Sequence, residues 1–209
     1  MIGKSLFLHL KFNPRIVKYN LSEITEIIKD RRTIYPEQYS NRKIHKEIVE
    51  DVLNNAIWAP THGKTQPWRF QVFMEDSRVE LSDFLSNLYS ENFKGENFNE
   101  LKFNKLKSRP LVSPVAIAII MTPDPKGRIM EMEEIEAVAC AVQNMYLTCT
   151  AYGIGGFWST SKLCYTQKMN NFLEINEEDK CLGIFYMGYP EIEWPKGQRK
   201  PIEYVTKWR

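Results

Sequence analysis

Three short stretches carry side chains able to do chemistry. Arg31, Arg32 and Thr33 follow a short helical pattern, and adjacent planar guanidiniums can grip phosphate oxygens in pairs. The same arginines would also complement a helix C-terminus by about 0.3–1 kcal/mol, so taken alone the pair better suits a plain helix end. Thr61, His62, Lys64, Thr65 and Gln66 stand on a loop bounded by Pro60 and Pro67, where a helical pattern gives way to an alternating one. Pro60 and Gly63 end the helix, and Pro67 is expected to force Gln66 into extended backbone. The third stretch is Gly153-Ile154-Gly155-Gly156-Phe157-Trp158-Ser159-Thr160, a tight turn into a short strand whose glycines would let something flat approach the backbone. No GxSxG elbow, P-loop, GxGxxG or HExxH occurs, and the chain has only His9, His45 and His62. No side-chain nucleophile, general base or metal site is therefore expected. Hard chemistry then falls to a cofactor, and these three stretches are what a flat, phosphorylated one would need.

The elements that must position these residues can be read from periodicity. Ser22 is expected to cap a helix with Ile24, Ile27 and Ile28 on one stripe, running to about Lys29. A second helix near 43–59 carries Val49, Val52, Leu53 and Ala56 into the Pro60–Trp68 loop. A strand at 69–74 follows, then a helix begun by Asp76-Ser77. Residues 90–109 interleave aromatics with Lys94, Lys102, Lys105 and Lys107; the spacing and the small net charge favour a partly exposed helix with a solvated basic face. Val115–Met121 is uniformly apolar, as a strand buried on both sides would be. Glu131 to about Tyr152 forms a long helix with small residues at 137, 139 and 141, the expected central helix. Strands at 154–159 and 181–188 complete a mixed α+β layer architecture, since βαβ alternation is lacking.

Composition narrows the class. The 209 residues are 43% hydrophobic and 26% charged, with a formal net charge of +2, which describes a globular chain without a nucleic-acid surface. No apolar run approaches the ~20 residues of a membrane span, and residues 1–10 make a poor secretory signal. The four cysteines form no CxxC pair or Cys/His metal spacing, so reduced thiols and a cytoplasmic location are expected. Residues 1–20 are read as an extension and 21–209 as one domain. The aromatic tail, with Trp194, Tyr204 and Trp208, is expected to pack on a second subunit.

Taken in order, these blocks resemble the FMN-dependent nitroreductase family. Arg31-Arg32-Thr33 is similar to its Arg-Arg-Ser/Thr start, and Ala59-Pro60-x-His62-x-x-x-Gln66-Pro67-Trp68-Arg69-Phe70 to its second block. Gly153 to Thr160 resembles the third, and Gly188-Tyr189-Pro190 with Arg199-Lys200-Pro201 the fourth. The resemblance spans about residues 22 to 203. It implies an α+β nitroreductase-like fold, a mostly antiparallel central sheet packed by helices, and a homodimer with one FMN in each of two interfacial clefts. Arg31, Arg32 and Thr33 would hold the phosphate, ribityl chain and pyrimidine edge of FMN, and Arg199 would close on the phosphate. His62 and Gln66 would reach the FMN of the opposite subunit, and Trp158, Ser159 and Thr160 would line the isoalloxazine. Many relatives have Asn at the position of Lys64 and Ser at that of Thr61, so no role is carried over to Lys64. The implied reaction is ping-pong: NADH or NADPH gives a hydride to flavin N5, and an electron-poor small molecule such as a nitroaromatic or quinone takes the electrons. A non-nitro acceptor, a non-catalytic FMN-binding protein and an empty dimerisation domain remain the alternatives.

Overall fold

The computed structural model describes residues 19–209; apart from Tyr19 and Asn20, the expected N-terminal extension lies outside the described residues. The chain forms α1 (Leu21–Asp30), α2 (Lys46–Ala56), β1 (Trp68–Phe73), α3 (Ser77–Asn92), α4 (Glu100–Val112), β2 (Val115–Met121), α5 (Glu131–Ala151), β3 (Gly155–Ser159), α6 (Gln167–Leu173) and β4 (Lys180–Gly188), with short 3-10 turns between them. The strands make one sheet in the order β1-β2-β4-β3, every pairing antiparallel. The α+β fold with an antiparallel sheet is as expected.

Alternation along β2 builds two cores. Val115, Ile117, Ile119 and Met121 point to the face covered by α2 and α5, where Val49, Val52, Ala56, Val138, Ala141, Val142 and Met145 pack. Ala116, Ala118 and Ile120 point to the other face, against Leu81, Leu85 and Leu88 of α3 and Met169 and Leu173 of α6. Both faces are dry, so every residue of β2 is buried, which explains its lack of polar alternation. The central position of α5 follows from its small residues, which let the helix lie close to the sheet.

Several local expectations are corrected. Asn20, not Ser22, caps α1: its side-chain oxygen accepts the Ser22 amide at 2.9 Å, because the helix starts at Leu21, ahead of the expected cap. Asp76 makes no side-chain cap; Ser77 Oγ instead exchanges bonds with the amide and carbonyl of Met74, closing the turn after β1. α2 runs Lys46–Ala56, well inside the 43–59 pattern, and α6 has no counterpart in the sequence reading. At seven residues α6 is too short to display a stable period, and its burial against the sheet holds it.

The glycines of β3 are also required by packing within the chain. A Cβ at Gly155 would lie 2.6 Å from Ile34 Cβ, and one at Gly156 would lie 2.7 Å from Phe185 Cζ and 3.0 Å from Tyr146. The space a side chain would take at these two positions is filled by the protein's own Ile34, Phe185 and Tyr146.

Candidate functional site

Arg31 and Arg32 leave the C-terminus of α1, and the chain then bridges onto the sheet through Thr33 and Gly156, with the Ile34 amide donating to the Gly156 carbonyl at 3.1 Å. This edge pairing ties the arginine motif to β3 although the two lie far apart in the sequence. Tyr146 of α5 sits at the junction. Its hydroxyl accepts the Trp158 amide at 2.8 Å, it hydrogen-bonds Thr33, and the Arg31 guanidinium lies 5.3 Å over its ring. Burial pushes the Tyr146 hydroxyl up, outweighing the opposing bonds from Trp158 and Thr33, so it stays neutral at neutral pH. Arg31 Nε is buried without a hydrogen-bond partner. A buried guanidinium donor left unpaired is costly, and an acceptor-rich ligand would relieve that cost.

Arg32 is held differently. Its Nε donates to the Pro195 carbonyl at 2.9 Å, and its Nη1 donates to the carbonyls of Lys29 and Arg31, so the C-terminal tail and the end of α1 fix the side chain together. Gly197 has no side chain because the Arg32 guanidinium fills the place a Cβ would take. Arg32, Lys29 and Arg199 line one cavity of about 400 Å³ with Ile28, Asp30 and Gly197. Two guanidiniums distant in sequence are thus brought to one concavity.

The loop holding His62 and Gln66 is strained. Gly63, Lys64 and Gln66 have φ of 57°, 58° and 49°, left-handed values that cost an ordinary side chain on the order of 1 kcal/mol each. Gln66 is therefore not extended, as Pro67 had suggested. The proline acts against the right-handed helical well, and the left-handed alternative is pinned by the Gln66 amide donating to Thr61 Oγ1 at 3.2 Å and by Arg69 Nη1 donating to the Gln66 carbonyl at 2.9 Å. His62 is exposed and meets Glu133 at 3.1 Å through Nδ1.

The sheet order separates this loop from β3. Trp68 opposes Met121, Met121 opposes Lys180 and Ser159 opposes Ile184, so the loop and the end of β3 lie at the same end of the sheet, with β2 and β4 between them. Three strand spacings make roughly 14 Å. Within one chain the structure brings Arg31, Thr33 and the Trp158 backbone together around Tyr146, and Arg32 with Arg199. It does not bring His62 or Gln66 to either group. The Trp158 indole turns inward against Gly183, which adopts φ +132° in a bulge of β4, and its Nε1 has no hydrogen-bond partner.

Thr160 turns away from β3 into a separate cavity of about 500 Å³, lined with Ser161 and Lys162, by Tyr89 and Phe93 of the α3 end, and by Lys102, Lys105 and Arg109 of α4. Sequence reasoning gave no site role to Tyr146 or to these cations. Tyr146 looked like a core residue of an amphipathic helix. The lysines read as a solvated face, because nothing local says that α4 packs beside the end of β3.

The nitroreductase family model matches residues 28–189. YfhC of Bacillus subtilis, provisionally named an NAD(P)H nitroreductase, is 25% identical over 182 residues, 87% of this chain and 91% of that protein. YdjA of Escherichia coli K12, with the same provisional name, is 24% identical over 147 residues, covering 70% and 78%. A nitroreductase-like family protein from Bacillus cereus superposes with a TM-score of 0.75 at 25% identity, covering 91% of this chain and 98% of its own. The FMN-dependent nitroreductase NfnB of Mycobacterium smegmatis, solved with NADPH, shares the fold with a TM-score of 0.72 at 18% identity, covering 91% and 100%. With its antiparallel sheet, its arginine motif bridged to β3 and a family match over most of its length, this chain belongs to the nitroreductase family.

Proposed function

We propose that this protein is a homodimeric, FMN-dependent NAD(P)H oxidoreductase that reduces electron-poor small molecules, nitroaromatics or quinones among them. The observation that carries the reading is the set of donors between α1, β3 and the tail. Arg31 Nε is buried and unpaired, and Arg32 and Arg199 line one cavity. That donor set fits a phosphorylated, acceptor-rich ring system. Arg32 and Arg199 would hold the phosphate, Arg31 and Thr33 the ribityl chain and pyrimidine edge, and the backbone of Trp158, Ser159 and Thr160 the ring edge. FMN, when bound, supplies hydride acceptance from NADH or NADPH and hydride delivery to the acceptor. The chain's own part is to bind and orient; a guanidinium beside the pyrimidine edge favours negative charge there.

His62 and Gln66 would complete the site of a second copy, because their loop is two strands removed from β3 in their own chain. The strain at Lys64 and Gln66 suits that role, since a strained turn persists only where surrounding contacts hold it. No described helix is long and apolar enough to cross a membrane, and a cytoplasmic location with reduced thiols fits the four free cysteines.

The test is a visible spectrum of purified protein followed by anaerobic NADH and NADPH. A flavin spectrum that bleaches supports the reductase; a flavin spectrum that neither nucleotide bleaches removes it. Arg32→Ala should lower FMN retention at least tenfold while the protein stays folded by circular dichroism, on the order of one lost charge-assisted pair.

A further inference from the structure

The cavity beside Thr160 has a charge pattern the flavin reading does not use. Lys102, Lys105, Leu106 and Arg109 follow i, i+3, i+4, i+7 spacing, so they share one face of α4, and Lys162 joins them from the turn after β3. No acidic residue lines the cavity. Arg109 is neutralised by Glu37, with Nε 2.9 Å from Oε1, and its guanidinium stacks 4.7 Å over the Phe157 ring. Among the described residues, the ammoniums of Lys102, Lys105 and Lys162 form no direct ion pair with a carboxylate, and Glu37 feels the Lys105 charge only at longer range. Like charges three residues apart disfavour a helix by a few tenths of a kcal/mol, so folding does not ask for this arrangement. A cleft lined by one sign of charge focuses its field and gathers counter-charged ligands. Its volume of about 500 Å³ falls in the range of small-molecule sites.

We propose that Lys102, Lys105 and Lys162 seat the pyrophosphate of the nicotinamide dinucleotide donor, with the nicotinamide end directed past Thr160 toward the ring edge at β3. The proposal rests on the flavin reading only for the identity of the donor. Three compact ammonium charges can hold phosphate oxygens as point-charge partners, and a pyrophosphate brings enough negative charge to engage all three. The pyrophosphate is common to both donors, so the site discriminates little between NADH and NADPH. Tyr89 and Phe93 supply an apolar wall for the body of the ligand.

The experiment is equilibrium binding of NAD⁺, NADP⁺ and p-nitrobenzoate to the purified, oxidised protein, for wild type, Lys102→Gln/Lys105→Gln and Lys162→Gln. Lys102, Lys105 and Lys162 are exposed, so the variants should fold as wild type does, checked by circular dichroism. The expected result is a loss of roughly tenfold in affinity for both dinucleotides in each variant, with p-nitrobenzoate unchanged and FMN content unchanged. Wild-type dinucleotide affinity should also fall as KCl rises. Unchanged dinucleotide affinity in both variants, or an equal loss for p-nitrobenzoate, overturns the proposal; the second result would assign the lysines to an anionic acceptor. The two readings fail separately. A colourless protein with lysine-dependent dinucleotide binding removes the flavin reading alone, and a yellow, bleachable protein with lysine-independent binding removes this one alone.

Discussion

Tyr146 joins the arginine motif to β3, and its loss is testable apart from any ligand. Its hydroxyl accepts the Trp158 amide at 2.8 Å and bonds Thr33. Tyr146→Phe should destabilise the protein by about 1–3 kcal/mol, read from urea unfolding, because a part-buried amide loses its acceptor. Asp124 gives a pH signature at the same scale. The side chain of Arg128 donates to both of its oxygens, at 2.9 and 3.1 Å, and the Arg128 amide donates a third bond. Those bonds, against a smaller effect of burial, hold the Asp124 carboxyl at about 2, below its ordinary 3.8. A carboxyl depressed by folding stabilises above its unfolded value, and that stability drains as pH falls from 3.8 toward 2. Melting temperature measured from pH 5 to pH 2 should therefore fall less steeply for Asp124→Asn than for wild type. An identical slope would show that the Asp124–Arg128 pair does not persist in solution.

At the scale of elements, β3 depends on absent side chains. Gly155 and Gly156 let Ile34, Phe185 and Tyr146 reach the backbone, and the motif after α1 docks on this strand by the Thr33–Gly156 bridge. Gly155→Ala should cost about 1–3 kcal/mol through forced displacement of Ile34, seen as a lower unfolding midpoint. It should also weaken FMN retention, because the displaced Ile34 follows Thr33 directly. Retention equal to wild type in a destabilised variant would separate the packing role of this glycine from the proposed site.

At the scale of the whole molecule, one chain leaves large apolar groups in water. Trp58, just after α2, is 83% exposed, and on the tail Val205 is 83% and Trp208 87% exposed, with Tyr204 and Ile202 also in water. Exposed apolar groups of this size would be covered in the proposed homodimer. Sedimentation at micromolar concentration should give a dimer, and Val205→Ser with Trp208→Ser should shift it toward monomer and lower FMN retention together. A monomeric wild type that keeps its flavin would remove the role proposed for His62 and Gln66 of a second copy.

The sequence by itself determined the strands, the long central helix and the three motif stretches, because period, proline and glycine act over a few neighbours. Val115–Met121 is uniformly apolar because both of its faces are covered, and that much is written in the residues. Only the tertiary structure decided which motifs share a place. It set Arg32 beside Arg199, made Tyr146 the junction of Arg31, Thr33 and Trp158, and kept the His62 loop two strands from β3. It also turned the solvated lysines of α4 into the wall of a cavity. The physical reason is that side-chain periodicity reports whether a residue is buried, whereas its neighbours across a sheet or between packed helices depend on contacts far apart in the chain.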